Sequence, residues 1–126
     1  MAQKTFEIIH DGIVLGHSAM EHGDPPMGCA EGAFIAEDAF FTFVKNVPPT
    51  GTEEGICRWT GLNLRVSGDQ AIPCLDLVLY EAVGPDCVLR WVDALGIPND
   101  LYQSLFEHHV AIYENCVRRS QKPILP

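Results

Sequence analysis

The sequence predicts an α+β domain in which an antiparallel sheet of about five or six strands carries two helices packed on one face. Three observations predict it. Short β-forming runs succeed one another through glycine-containing turns, helical spacing is confined to two segments, and the strand–helix alternation of a parallel sheet is missing.

Thr5 to His10 and the run beginning Ile13-Val14-Leu15 are joined by Asp11-Gly12, a pair that readily takes the positive φ values of a type I′ hairpin turn. The next segment, 17–28, is crowded with polar side chains, glycine and the pair Pro25-Pro26, which favours an irregular loop over a ladder strand. Cys29 to Ile35 reads as a short strand. From Ala36 the period changes: Phe40, Val44 and Val47 fall at helical spacing, and Glu37 and Asp38 suit the positive end of the helix dipole. A helix over about 36–46 follows, stopped by Pro48-Pro49.

Pro48 to Gly55 reads as a loop. Cys57 and Trp59 then share one parity and Leu62, Leu64 and Val66 the other, so a single inward face requires a one-residue slip near Gly61, the work of a bulge. Ser67-Gly68-Asp69 turns the chain into a strand of alternating Leu75, Leu77 and Leu79, and Gly84-Pro85-Asp86 turns it again. Residues 87–95 fit a strand or a helix, because periodicity does not decide so short a run. Asn99 to Arg119 predicts one long amphipathic helix, with Leu101, Leu105, Ile112 and Cys116 on one stripe and Pro123 forbidding continuation.

The 126 residues, 47% hydrophobic, suit one domain over 1–126 and one core. No apolar stretch approaches the ~20 residues of a membrane span, and the first residues lack the basic-then-apolar pattern of a secretion signal, so the expected setting is cytoplasmic, without a membrane partner. Seventeen acids against eight bases give a net charge of −9, which repels phosphate backbones and disfavours nucleic acid. The imbalance is uneven. Residues 1–55 hold nine acids and two bases, net −7, and residues 56–126 hold eight and six, net −2, so a basic partner would meet the first half. The five cysteines are odd in number, widely spaced and without a Cys-x-x-Cys pair, which reads as free, mostly buried thiols.

Two places concentrate chemistry-bearing residues. His17, Glu21, His22 and Asp24 fall within eight residues, and imidazole and carboxylate are the groups used for zinc ligation and proton transfer. His17 and His22 are the candidate metal ligands, although the spacing fits no established zinc pattern. The bland alternative has the carboxylates accepting backbone N–H bonds in the loop. His108-His109 is the second place. Adjacent helical residues point about 100° apart, so the two imidazoles do not hold one ion together, but His109 lies on the apolar seam, either as a hydrogen-bonded core residue or facing the 17–24 loop. Arg58, Arg65 and Arg90 would bind an anion if they shared a face; pairing with acids such as Asp76 and Glu81 is the more ordinary outcome. Nucleotide and hydrolase glycine motifs are absent, and no cofactor is expected.

The run from Gly12 to Gly28, with Gly32-Ala33-Phe34, Leu95-Gly96-Ile97-Pro98 and Phe106-Glu107-His108-His109-Val110-Ala111, resembles a group of short bacterial proteins of unknown function. The resemblance spans about half of the chain and implies a bacterial, single-domain origin and an association of the loop with the terminal helix. It implies no mechanism.

These features point first to an acidic interaction module of inhibitor or immunity type. It would meet a basic partner through Glu21, Asp24, Glu31, Glu37 and Asp38, with Phe41 as central contact. The rival is an enzyme or ligand-binding domain with its cleft between residues 17–28 and the last helix, using Glu21 as base and His22 or His109 as acid or metal ligand. A third expectation is a homo-oligomer joined through sheet edges.

Overall fold

The computed structural model describes residues 4–120. The first three residues and the stop expected at Pro123 lie outside them. The fold is α+β with antiparallel pairing throughout, but the strands divide between two sheets. The first has the order β5-β2-β1-β8-β9, from β1 (Phe6–His10), β2 (Ile13–Ser18), β5 (Ile35–Ala36), β8 (Asn63–Val66) and β9 (Ala71–Ile72). The second has the order β3-β4-β11-β10-β7-β6, from β3 (His22–Asp24), β4 (Cys29–Ala33), β6 (Gly51–Glu53), β7 (Ile56–Trp59), β10 (Asp76–Val83) and β11 (Val88–Leu95).

The β1–β2 hairpin turns through Asp11 and Gly12 at φ 48° and 78°, the geometry the Asp-Gly pair predicts. Leu15 is the extra residue of a bulge between the Ile8–Gly16 and Ile9–Val14 pairs. The expected slip near Gly61 is something larger. The chain leaves the second sheet after Trp59 and enters the first at Asn63, so each parity serves its own sheet. Gly61, at φ 73°, makes the corner and donates its N–H to Asp76 Oδ1 at 2.8 Å. Residues 87–95 resolve to strand β11, because ladder bonds to both β10 and β4 decide what periodicity left open.

One core lies between the sheets, with Phe6, Ile8, Leu15 and Leu64 from the first and Leu77, Leu79, Val92 and Trp59 from the second. Each such side chain contributes about 1.5–3 kcal/mol on burial. Helix α1 (Asp38–Asn46) packs on β2 and β5 and buries Phe40 and Phe43 against Trp59, whose indole N–H donates to Val47 O at 3.0 Å. The terminal helix is two helices, α2 (Asn99–Leu105) and α3 (Glu107–Ser120), so the described residues hold three α-helices where two were expected. The break sits at Phe106, which is wholly buried, stacks on Phe6 and His109 and packs at a tilt against Tyr102. Burying that ring redirects the chain. Ile112, on the expected apolar stripe, is consequently 61% exposed. Among the described residues no helix is long and apolar enough to cross a membrane.

Candidate functional site

The 17–28 segment is more ordered than its composition suggests. His17 and Ser18 finish β2, residues 22–24 form β3 against β4, and Pro25–Met27 make a 3₁₀ turn closed by Gly28 at φ 65°. Between them Met20 adopts φ 48°, a conformation costing a non-glycine residue roughly 1 kcal/mol, and two bonds hold it there. Its N–H donates to Ser18 Oγ at 3.1 Å, and its carbonyl accepts from His109 Nε2 at 2.8 Å. A carbonyl only accepts, so Nε2 carries the proton. His109 is 4% exposed, and burial, aided by the neighbouring His108 and His22, holds its pKa below the ordinary histidine value. It is a neutral tie between helix and loop. Gly23 permits this approach: a Cβ there would come within 2.6 Å of the Tyr102 hydroxyl and the His109 ring. The Tyr102 hydroxyl donates to Cys29 O at 2.7 Å, so the loop and α2–α3 are joined by two buried groups.

The remaining loop residues part company. Glu21 Oε2 accepts the Ala33 N–H at 3.1 Å. His17 lies on the first sheet, 3.1 Å from Glu37 and 3.9 Å from Glu7, whereas His22 pairs with Glu31 across β3 and β4 of the second. The two histidines proposed as ligands therefore sit on different sheets. Among the described residues no group of three or more histidine, cysteine or acidic side chains is placed to hold a metal ion. Glu37 stands at the N-cap of α1, Asp38 begins the helix and Phe41 follows one turn on, so these three lie at that helix, while Glu21, Asp24 and Glu31 gather around β3 and β4. Phe41 is half-exposed and lies beneath the Arg90 guanidinium, 5.3 Å from its ring centre.

The three strand arginines are dispersed. Arg65 pairs with Glu7 at 2.6 Å and holds that carboxyl below its ordinary pKa, and Arg90 pairs with Glu81 at 2.8 Å. Arg58 has no carboxylate within ion-pair distance among the described residues; it lies beside Gly51, where a Cβ would meet its guanidine group at 3.0 Å. The cysteines are free, but Cys87 and Cys116 are exposed and the other three half-buried, short of the burial their apolar neighbours suggest.

The outward face of the second sheet brings groups that sequence reading missed, Tyr80, Trp91 and Asp93, together with Arg58, Glu31 and His22, which it had named separately. Register aligns Gly51, Arg58, Tyr80, Trp91 and Ala33 in one row across five strands. The Tyr80 and Trp91 rings stack in it, 5.0 Å apart and 10° from parallel. Two residues along each strand, a second row sets Val78 opposite Asp93, Asp93 opposite Glu31 and Glu31 opposite His22. Partial burial raises the Asp93 pKa from 3.8 to about 7, reinforced by a hydrogen bond with Glu31 and by that group's like charge. The pair therefore takes up a proton around neutral pH and is about half-occupied at pH 7. A cleft of about 350 Å³ is lined by Glu21, His22, Glu31, Ala33, Arg90 and Trp91, and a cavity of about 490 Å³ opens on the other side of the aromatic pair. Alternation along 76–83 and 88–95 was legible, but a sheet face becomes a site only once register is known.

Fold and site together define a small two-sheet α+β domain whose exposed sheet face carries an aromatic pair between a carboxyl pair and an arginine. Comparison with family models, curated proteins and solved structures gives no match.

Proposed function

We propose that this is a protein-interaction module, of inhibitor or immunity type, that binds a basic partner through the carboxylate-lined end of the second sheet. One observation carries the reading: cross-strand register gathers Asp93, Glu31 and His22 in a row, with Asp24 beside them and Trp91 on the same face. A lysine or arginine from a partner supplies the positive charge that the Asp93–Glu31 pair otherwise takes as a proton. Trp91 offers an aromatic surface on which a guanidinium or ammonium gains further attraction. The net charge of −9 steers such a partner inward, and salt weakens that steering.

The test is calorimetric titration with an arginine- and lysine-rich peptide at two salt concentrations, in two buffers of different ionisation enthalpy. The expected result is salt-sensitive binding that releases up to about half a proton at pH 7, weakened roughly tenfold in Glu31→Gln. Binding indifferent to salt and to Glu31→Gln, or no binding, refutes the reading.

A second reading, a ligand-binding domain with its cleft between β3 and α3, has one observation in its favour. A cleft of about 300 Å³ there is lined by His22, Asp24, His109, Tyr113 and Cys116. Elemental analysis of the purified protein and titration with zinc test it; an absence of bound zinc in both removes its metal version.

A further inference from the structure

The 490 Å³ cavity lies at the opposite edge of the same sheet face, between the β6–β7 hairpin and the aromatic pair. Its size suits a ligand of one or two rings. Tyr80 and Trp91 form one side, the hairpin with Thr52, Glu53 and Glu54 another, and Arg58 lies between them. We propose that this cavity is a binding site for a neutral sugar ring.

The chemistry of the lining selects that class. An anionic ligand would meet Glu53 and Glu54, and the field of a chain carrying −9 opposes its approach. A cationic ligand would meet Arg58, the strand arginine with no carboxylate within ion-pair distance among the described residues. A neutral polyhydroxylated ring satisfies both signs. A hydroxyl can both donate to a carboxylate and accept from a guanidinium, and Arg58 with its fixed fork of N–H groups suits two adjacent hydroxyl oxygens. The C–H face of a sugar packs on aromatic carbon without needing a hydrogen bond there, which the parts of Tyr80 and Trp91 left uncovered by their mutual stack provide. Preorganisation favours the same conclusion. The two rings already support each other at 5.0 Å, and Arg58 rests beside Gly51, where any side chain would crowd it.

The site shares Trp91 with the carboxylate-lined end but draws on Arg58, Tyr80 and the β6–β7 hairpin in place of Glu31 and Asp93, and it stands whether or not a basic partner binds at that end. Its test is tryptophan fluorescence during titration with glucose, galactose, mannose, N-acetylglucosamine and their β-linked disaccharides. Trp59 is 3% exposed and Trp91 half-buried, so a ligand-induced change reports on Trp91. At least one sugar is expected to give a saturable change with Kd near or below ~1 mM. Arg58→Met should weaken it about three- to tenfold and Trp91→Phe less than threefold. Trp91→Ala should abolish binding, read by calorimetry with the fold verified by circular dichroism. The proposal is overturned if no sugar saturates up to about 50 mM, well above that affinity. It is also overturned if inorganic phosphate or methylguanidinium binds where the sugars do not, or if Arg58→Met and Trp91→Phe both leave a sugar's affinity unchanged.

Discussion

Replacing Asp93 with asparagine should stabilise the protein at pH 8 and leave it almost unchanged near pH 4. In the unfolded chain Asp93 titrates at 3.8, and in the fold at about 7, so between those values the unfolded state binds fewer protons and stability falls as pH rises. The favourable contribution of the protonated carboxyl is complete below pH 3.8 and gone above about 7. Taken whole, the difference amounts to about 4 kcal/mol; solvent screening at a half-exposed group reduces it to about 1–2 kcal/mol. The carboxamide of Asp93→Asn is neutral at every pH and still offers an N–H to Glu31, so the variant escapes the penalty that the wild type incurs above pH 7. Urea unfolding of both proteins at pH 4.5, 6, 7 and 8 measures the difference directly, and subtracting one curve from the other cancels groups that titrate alike in both, such as Glu7. The expected gain at pH 8 corresponds to a melting temperature higher by roughly 5 °C. A pH-independent difference, or a variant less stable at pH 8, would refute the shared-proton arrangement.

Other predictions bear on the loop–helix junction and the thiols. Gly23→Ala should cost about 2–3 kcal/mol, because its methyl group would meet the Tyr102 hydroxyl and the His109 ring within 2.6 Å; an unchanged chemical denaturation midpoint contradicts that packing. His109→Phe keeps the stack on Phe106 but loses the bond to Met20, at a cost of about 1–3 kcal/mol at pH 8. Because burial lowers the His109 pKa, wild-type stability should fall as pH drops below 6.5, where the unfolded imidazole takes up a proton that the folded one refuses. The His109→Phe curve should lack that component, and equal slopes in the two proteins from pH 7 to 5 would count against a neutral His109. With a thiol reagent, Cys87 and Cys116 should react first and Cys74 slowly, since burial raises its pKa; mass mapping of the labelled peptides decides the order.

How much of this was legible follows from the range of each interaction. Asp11-Gly12 announced its hairpin because turn geometry depends on two residues alone. The Ser67-Gly68-Asp69 turn was legible for the same reason. The division into two sheets was visible as a parity change at Gly61, yet a bulge and a crossover produce the same local pattern and differ only in which strand lies alongside. The break at Phe106 carries no glycine or proline signal. It follows from partners as far away as Phe6. His109 was legible as a seam residue from helical spacing, but its acceptor, Met20, lies 89 residues away and becomes available only because Met20 takes a left-handed conformation. The 17–28 segment was misread for a related reason. A composition of histidine, glycine and proline argues against an isolated strand, and β3 forms because β4 supplies its partner.

The same logic explains why the candidate sites escaped the sequence while the core did not. An inward residue is recognised by hydrophobicity, a property it carries by itself, and Leu77, Leu79 and Val92 are buried wherever their strands pair. An outward residue acquires its role from its neighbours. Asp93 meets a second carboxylate because Glu31 stands opposite; Trp91 has a ring to stack on because Tyr80 does, with Ala33 beyond it. Sliding β11 by one residue against β10 would bury Asp93 and Trp91 and expose Val92 and Ala94, so the apolar pattern that builds the core also fixes which polar groups meet outside. The hydrophobic register therefore assembles the outer face without any outer residue having to specify it. Substitutions at Tyr80, Trp91, Glu31 or Arg58 should accordingly change binding more than they change stability.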